Sequence, residues 1–334
     1  DITRHAIEGS VLPTLPFRLI LWLMQYIILK RLLSLPFVLL AVTFLTFIVS
    51  YLAPGDPILA LMGTQRDPDT YERLRTLYGL DLPWYEQYAR YITGLLQGNL
   101  GLSFRFAQRP VLELLQSGLP VSFSLGITAL SLSVFIGVPL GMLAALYHNT
   151  PFERVTMLFA LALYAIPSFV LIPILQWINY QVYRAVGTAL PPAGWGRPEH
   201  WIMPTFVLMA ASLGFIARLT RASVREVLQE DYIRTAYSKG VSQRVVLYQH
   251  ALRNALIAPF TVIMLQFPWL LNGVVIVETL FNYKGFGWTL VQAAGNNDID
   301  LLLGCSVVAV FVVLVTQLAS DIGYVFLNPR IRLA

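Results

Sequence analysis

The chain has 334 residues, 57% of them hydrophobic and 12% charged, and its mean hydropathy of +0.65 is too high for an ordinary soluble domain, which indicates a multispanning membrane protein. A net charge of +5 does not indicate a nucleic-acid partner, because the basic residues lie between apolar segments rather than in one domain with interleaved aromatics. The single cysteine, Cys305, sits in an apolar run, which excludes an internal disulfide and a thiol-based structural metal site.

Residues 1–30 read as an N-terminal extension carrying a short apolar run, 17–29, that ends at Lys30-Arg31. The run is too short to cross a bilayer alone and is expected to be an interfacial helix or an extension of the first span. No small-residue cleavage site follows it, so a signal peptide is not expected. From residue 31 onward, apolar runs of about twenty residues, the length that crosses the hydrocarbon core, recur at 33–52, 121–147, 155–183, 201–219, 256–277 and 301–326. Six helical crossings predict an all-α polytopic protein with both termini on one side.

The first loop, 53–120, carries helical signals of its own. Asp69 to Gly79 has a capping residue, helix-spaced apolar positions and a closing glycine. A second helix is predicted over 83–96, with Trp84, Tyr88 and Tyr91 at helical spacing, and Pro110 starts a third. An ordered loop of this length is expected to cover the membrane surface, or additionally to gate or dock a partner there.

Orientation follows from the short loops, where Lys and Arg are retained on the cytoplasmic face. Arg218, Arg221, Arg225, Arg234, Lys239, Arg244 and Arg253 all lie in or beside the segment 219–255 between the fourth and fifth spans, and Arg330 and Arg332 follow the sixth. That side is therefore assigned as cytoplasmic, together with both termini, and the loops 53–120, 184–200 and 278–300 face outward.

The chemistry that is missing narrows the function. No G-x-x-x-x-G-K-[ST], H-E-x-x-H or G-x-S-x-G motif occurs, and the four histidines His5, His148, His200 and His250 fall outside the apolar runs. No catalytic residue, cofactor site or metal site is predicted. No ionisable side chain lies within 155–183 or 256–277, so an ion-coupled carrier lacks its midplane relay. Glu278 and Asp321 near span ends read as wet, interface-facing carboxylates. A solute conductor with neither a nucleotide site nor an ion relay must take its energy from a partner. A self-contained channel or carrier is the competing class.

The polar island between the fourth and fifth spans fits that need. Residues 221–248 are helix-compatible and are expected to form helix, turn and helix, with Val224, Leu228 and Tyr232 on one face and Arg221, Arg225 and Glu226 turned away. Gly240 permits a sharp turn, and the small Ala236 one turn earlier permits close approach of a partner surface. On spacing alone, an ordinary basic loop that sets topology explains the same residues.

The segment Asp231-Tyr232-Ile233-Arg234-Thr235-Ala236-Tyr237-Ser238-Lys239-Gly240, followed by His250-Ala251-Leu252-Arg253-Asn254-Ala255 and Pro259, resembles the EAA loop of ABC importer permeases. Arg234-Thr235-Ala236 before Gly240 replaces Glu-Ala-Ala and is similar to the dipeptide, oligopeptide and nickel branch. Further motifs stand in the same order: Leu52-Ala53-Pro54-Gly55-Asp56-Pro57, Asn99-Leu100-Gly101-Leu102-Ser103, Pro192-Ala193-Gly194-Trp195-Gly196, Val277-Glu278-Thr279-Leu280-Phe281 with Gly285-Phe286-Gly287, and Asn328-Pro329-Arg330-Ile331-Arg332.

The resemblance covers 31–334 and implies a type I importer permease fold in a bacterial or archaeal plasma or inner membrane. It implies that Asp231, Tyr232, Arg234, Thr235, Ala236, Ser238, Lys239 and Gly240 belong to the coupling loop. It also implies a second homologous permease subunit, two ABC ATPase subunits and an extracytoplasmic solute-binding protein as partners. Peptides are the implied cargo, with nickel chelates, glutathione or oligosaccharides as alternatives. Pro139, Pro167, Pro173 and Pro268 are positioned to kink pore helices. Ser168, Gln176, Asn179, Gln266 and Asn272 are the hydrogen-bonding groups available to a weakly selective path.

Overall fold

The computed structural model describes residues 17–62, 67–106, 108–242, 245–266 and 270–327. These residues are helical apart from turns and one isolated antiparallel bridge between Leu102 and Pro110. Residues 1–16, Arg244, Pro268 and the motif 328–332 lie outside this description.

The first helix, α1 (Phe17–Leu52), is continuous through Pro36. The run 17–29 is thus the first part of the span helix and not a separate interfacial helix. Beyond it, α2 (Pro57–Met62), α3 (Pro68–Leu77) and α4 (Trp84–Leu96) build a helical cap. Asp67, not the expected Asp69, caps α3, accepting the Thr70 N–H at 3.0 Å ahead of Pro68. Gly79, at φ +67°, ends it in a left-handed turn in which its N–H reaches Thr76 O and that of Leu80 reaches Arg75 O.

The third loop helix expected at Pro110 is instead the first turn of the second span, α5 (Val111–Leu146). Val111, Leu114 and Leu115 are buried there against Phe286, Leu301 and Cys305, so tertiary burial extends the helix below Pro120. The third run is not one straight crossing. Helices α6 (Pro151–Ala165) and α7 (Ser168–Val186) are bent by 107° at Ile166-Pro167. Proline lacks the N–H needed to continue the helix and forces the preceding residue into extended backbone, here Ile166 at φ −81°, ψ 117°. Pro139 and Pro173 lie inside helices that stay continuous.

The fourth span helix, α8 (Pro198–Leu228), runs well past residue 219. It is followed by α9 (Asp231–Ser238) and by α10, a π-helical turn Val246–Ala251 continued as α-helix Leu252–Ala255. The fifth run carries α11 (Ile257–Gln266) and α12 (Leu270–Leu280), with residues 267–269 between them outside the described residues, and α13 (Phe286–Gly295) leads into α14 (Ile299–Leu327). Among the described residues, four helices are long and apolar enough to cross a membrane alone, and the bent α6–α7 pair, taken as one span, makes a fifth.

Small residues bring the helices together, since helices in lipid associate through close packing rather than apolar transfer. Gly137 and Gly141, one turn apart on α5, face the backbone of Leu213 and Ala217 on α8, and a Cβ on Gly141 would collide with the Ala217 carbonyl. The Ser133 hydroxyl donates to Met209 O at 3.1 Å in the same seam. On the other side, α1 and α14 are joined by Arg31–Asp321 at 3.0 Å and Thr46–Ser306 at 3.0 Å. Asp321 therefore pairs two helices while its side chain stays part-exposed.

Candidate functional site

The arginine-bearing end of the molecule is organised around α9. Its eight residues present an i, i+3 apolar pair inward: Ile233 is fully buried and Ala236 is 8% exposed, packed with Val246, Leu247 and Ala251 of α10 and with Leu146, Val227 and Leu228 at the ends of α5 and α8. Asp231, Tyr232, Arg234, Thr235, Tyr237 and Ser238 are exposed, as are Lys239 and Gly240 beyond. The helix is thus held from behind and offers a polar, aromatic front. Ala236 serves close approach by the chain's own α10, where the sequence reading had assigned it to a partner.

The turn at Gly240 has a stated geometry. Gly240 adopts φ +75°, its N–H reaches Tyr237 O at 2.9 Å, and the Val241 N–H reaches Ala236 O at 3.3 Å, the paired bonds of a glycine helix stop. A side chain there would touch nothing within 4 Å, so the requirement for glycine is conformational and not steric. The expected single turn becomes two breaks, because α8 ends before α9 begins and Tyr232 leaves the face of Val224 and Leu228. The Tyr232 hydroxyl instead accepts Asn254 Nδ2 at 3.0 Å, tying α9 to α10.

Arg221, expected to turn away, points inward. Its Nε donates to Glu153 Oε1 at 2.6 Å, and the same buried carboxylate accepts the Asn149 N–H at 2.6 Å and lies 3.0 Å from His148 Nδ1. One carboxylate at the start of α6 thereby joins the α5–α6 turn to α8 a few turns before α9. Ser223 adds a second tie, donating to Ala255 O at 2.7 Å. Sequence reading missed Glu153 because its partner, Arg221, is 68 positions away.

Between α6, α7, α8 and α11 lies a cavity of about 570 Å³. Its walls include Tyr164, Pro167, Ser168, Ser212, Phe215 and Gln266, so the bend at Pro167 opens it. The Gln266 Oε1 is buried without a hydrogen-bond partner among the described residues, an arrangement costly in an apolar setting. Of the polar groups expected on a path, Ser168 and Gln266 reach this cavity. Asn179 does not: it pairs both ways with the Leu190 backbone at 2.8 and 3.0 Å and holds the loop after α7. The Asn272 side chain lies outside the described residues.

The opposite end is closed by carboxylates. Glu278, fully buried, takes the Ser122 hydroxyl on Oε1 and the Trp288 N–H on Oε2 at 3.0 Å, and Ser122 accepts the Phe286 N–H at 2.8 Å. The carboxylate therefore sits at the N-terminus of α13, where free N–H groups favour an anion. Gly285 and Gly287 leave room for it, which accounts for the Val277–Phe281 and Gly285–Gly287 motifs lying close together. The wet, interfacial placement expected for Glu278 does not hold. Asp298 is also fully buried, accepting Ser103 Oγ at 2.6 Å, Arg105 N at 3.1 Å and Leu301 N at 3.2 Å.

Residues 137–333 match the family described as binding-protein-dependent transport system inner membrane component, and residues 23–126 match its N-terminal companion family. The chain belongs to this family of importer permeases. The permease is 36% identical over 310 residues to the glutathione transport system permease protein of Escherichia coli (strain K12), covering 93% of this chain and 99% of that protein. It is 35% identical over 316 residues to a putative peptide transport system permease protein of Brucella melitensis biotype 1, with the same coverage of both. A methionine ABC transporter in an inward-facing conformation matches 67% of the permease with a TM-score of 0.53 at 18% identity, and covers 99% of that chain. An amino acid ABC transporter matches 64% with a TM-score of 0.52 at 14% identity, covering 94% of that chain. These likenesses establish the type I ABC importer permease fold for a multi-pass membrane protein.

Proposed function

We propose that this permease forms half of an ATP-driven path for short peptides, pairing with a second homologous permease, taking power from two ABC ATPase subunits at α9 and receiving solute from a binding protein at the cap. The observation that carries this reading is the construction of α9, a short helix anchored by Ile233 and Ala236 with its six other residues exposed at the end of the long α8. A force on that exposed front has a rigid way into the span helices through Glu153, Arg221 and Ser223. The arginine-bearing end is accordingly cytoplasmic, as the charge bias requires.

Peptide cargo is supported by the relatives' names, glutathione itself being a tripeptide. The path formed at the α6–α7 bend offers neutral hydrogen-bonding groups and aromatic walls but no charge, so it tolerates varied side chains and leaves selection upstream. Reconstituted with its partners in liposomes, the complex should take up a labelled dipeptide or tripeptide only with ATP inside, and excess glutathione should compete. Uptake without ATPase subunits would favour a channel or carrier. Competition by a nickel chelate or an oligosaccharide, and not by peptides, would move the cargo to those classes. Gly240→Val should abolish uptake while Gly240→Asn, which tolerates positive φ, retains most of it.

A further inference from the structure

A second cavity, about 200 Å³, lies in the cap end between α1, α4 and the start of α14 and plays no part in coupling or in the path at Pro167. A basic and an acidic side chain line it. Arg90 comes from α4 and Asp300 from the first turn of α14, and neither forms an ion pair among the described residues. The Tyr91 hydroxyl is buried and has no hydrogen-bond partner there.

The backbone is shaped around both charged heads. Gly79 and Gly101 adopt positive φ, +67° and +85°. A Cβ on Gly79 would lie 3.0 Å from the Arg90 guanidinium, and one on Gly101 would collide with the Asp300 carboxylate. Each glycine therefore both makes its turn and leaves the space its neighbouring charge occupies.

We infer that this cavity is a site for a small zwitterion, a free α-amino acid with a short side chain. Asp300 takes the ammonium group, Arg90 the carboxylate in its planar fork, and Tyr91 supplies the remaining hydrogen bond. A ligand carrying one charge leaves the opposite wall unpaired, so both charges are required together. The volume admits glycine or alanine, and the site lies apart from the cavity at Pro167. Because Arg90 and Tyr91 belong to the cap and Asp300 to α14, an occupied site holds the cap against the span helices.

The test uses the assembled permease–ATPase complex in nanodiscs, without the soluble binding protein, and measures equilibrium binding of radiolabelled L-alanine. We expect saturable binding, displaced by glycine but not by ethylamine or propionate at equal concentration. Arg90→Gln and Asp300→Asn should each weaken it about ten-fold or more, and the shape-preserving Tyr91→Phe about three- to ten-fold, one hydrogen bond's worth. ATPase activity of each variant complex reports assembly. No saturable binding up to about ten millimolar, a concentration corresponding to less than 3 kcal/mol of affinity, would overturn the site. So would equal affinity for ethylamine, or unchanged affinity in both charge variants. Peptide uptake is measured separately, so failure of the amino-acid site leaves the transport reading standing.

Discussion

At the cap end, Glu278 and Asp298 are fully buried and held by the chain's own hydroxyl and N–H groups, whereas at the basic end α9 turns six of its eight residues to solvent. Both ends are rich in polar residues, yet the Glu278 and Asp298 carboxylates are satisfied internally while the polar front of α9 is left for a neighbour. A buried carboxylate with good partners fixes geometry because losing one partner leaves a charge in a poor medium. An exposed helix held by two apolar side chains can be displaced as a unit. On the proposed reading, the contrast suits a permease whose outer surface keeps its shape while its inner surface is pushed.

The comparison is broken most directly at Glu278. Glu278→Ala removes the acceptor for Ser122 and the Trp288 N–H, and we expect a loss of about 3 kcal/mol in detergent unfolding. A loss below about 1 kcal/mol would mean that the network is not what holds α13. Next in size, Ile233→Ala should cost about 2–3 kcal/mol locally. It should show as faster hydrogen exchange confined to α9 and α10, with uptake lost; exchange spread evenly over the spans would contradict the anchored-helix account.

A subtler difference concerns Asp56. Burial opposes its charge, but the Tyr71 hydroxyl, the Ile58 and Leu59 N–H groups and Arg75 outweigh that and lower its pKa. A carboxyl with a depressed folded pKa stabilises above its unfolded pKa and loses that contribution as pH falls through the folded one. Asp56→Asn should therefore lower the melting temperature at neutral pH, and the gap from the parent should close only in acid. A gap independent of pH would show that the charge plays no part. The smallest effect is expected at the exposed Asp231–Arg234 pair, 3.5 Å apart, where Asp231→Asn should change stability by less than about 0.5 kcal/mol. If that variant lowers uptake several-fold, Asp231 acts on the ATPase and not on α9.

Much of this was legible before the fold was known. The apolar runs located α1, α5, α8 and α14 because twenty apolar residues leave few alternatives to a crossing, and Gly240 marked its turn because only a residue tolerant of positive φ stops a helix that way. Asp67 displaced Asp69 as the cap because Pro68 favours the first helical position. The bend at Pro167 was legible as a kink but not as 107°, since a proline frees the backbone without saying which way neighbouring helices will take it.

The inward turns of Ala236, Arg221 and Glu278 were not legible, because each depends on a segment far along the chain arriving at the right side of a helix. The sequence by itself determined that the chain is helical and membrane-embedded, that it carries no G-x-x-x-x-G-K-[ST] motif, and that a polar, basic segment separates two of its apolar runs. Only the tertiary structure decided which of those polar residues are spent inside and which remain for a partner. Composition and local spacing govern whether a segment folds as a helix, but its facing is set by long-range packing, such as that of Gly137 and Gly141 of α5 against α8 and the glycine pocket around Glu278.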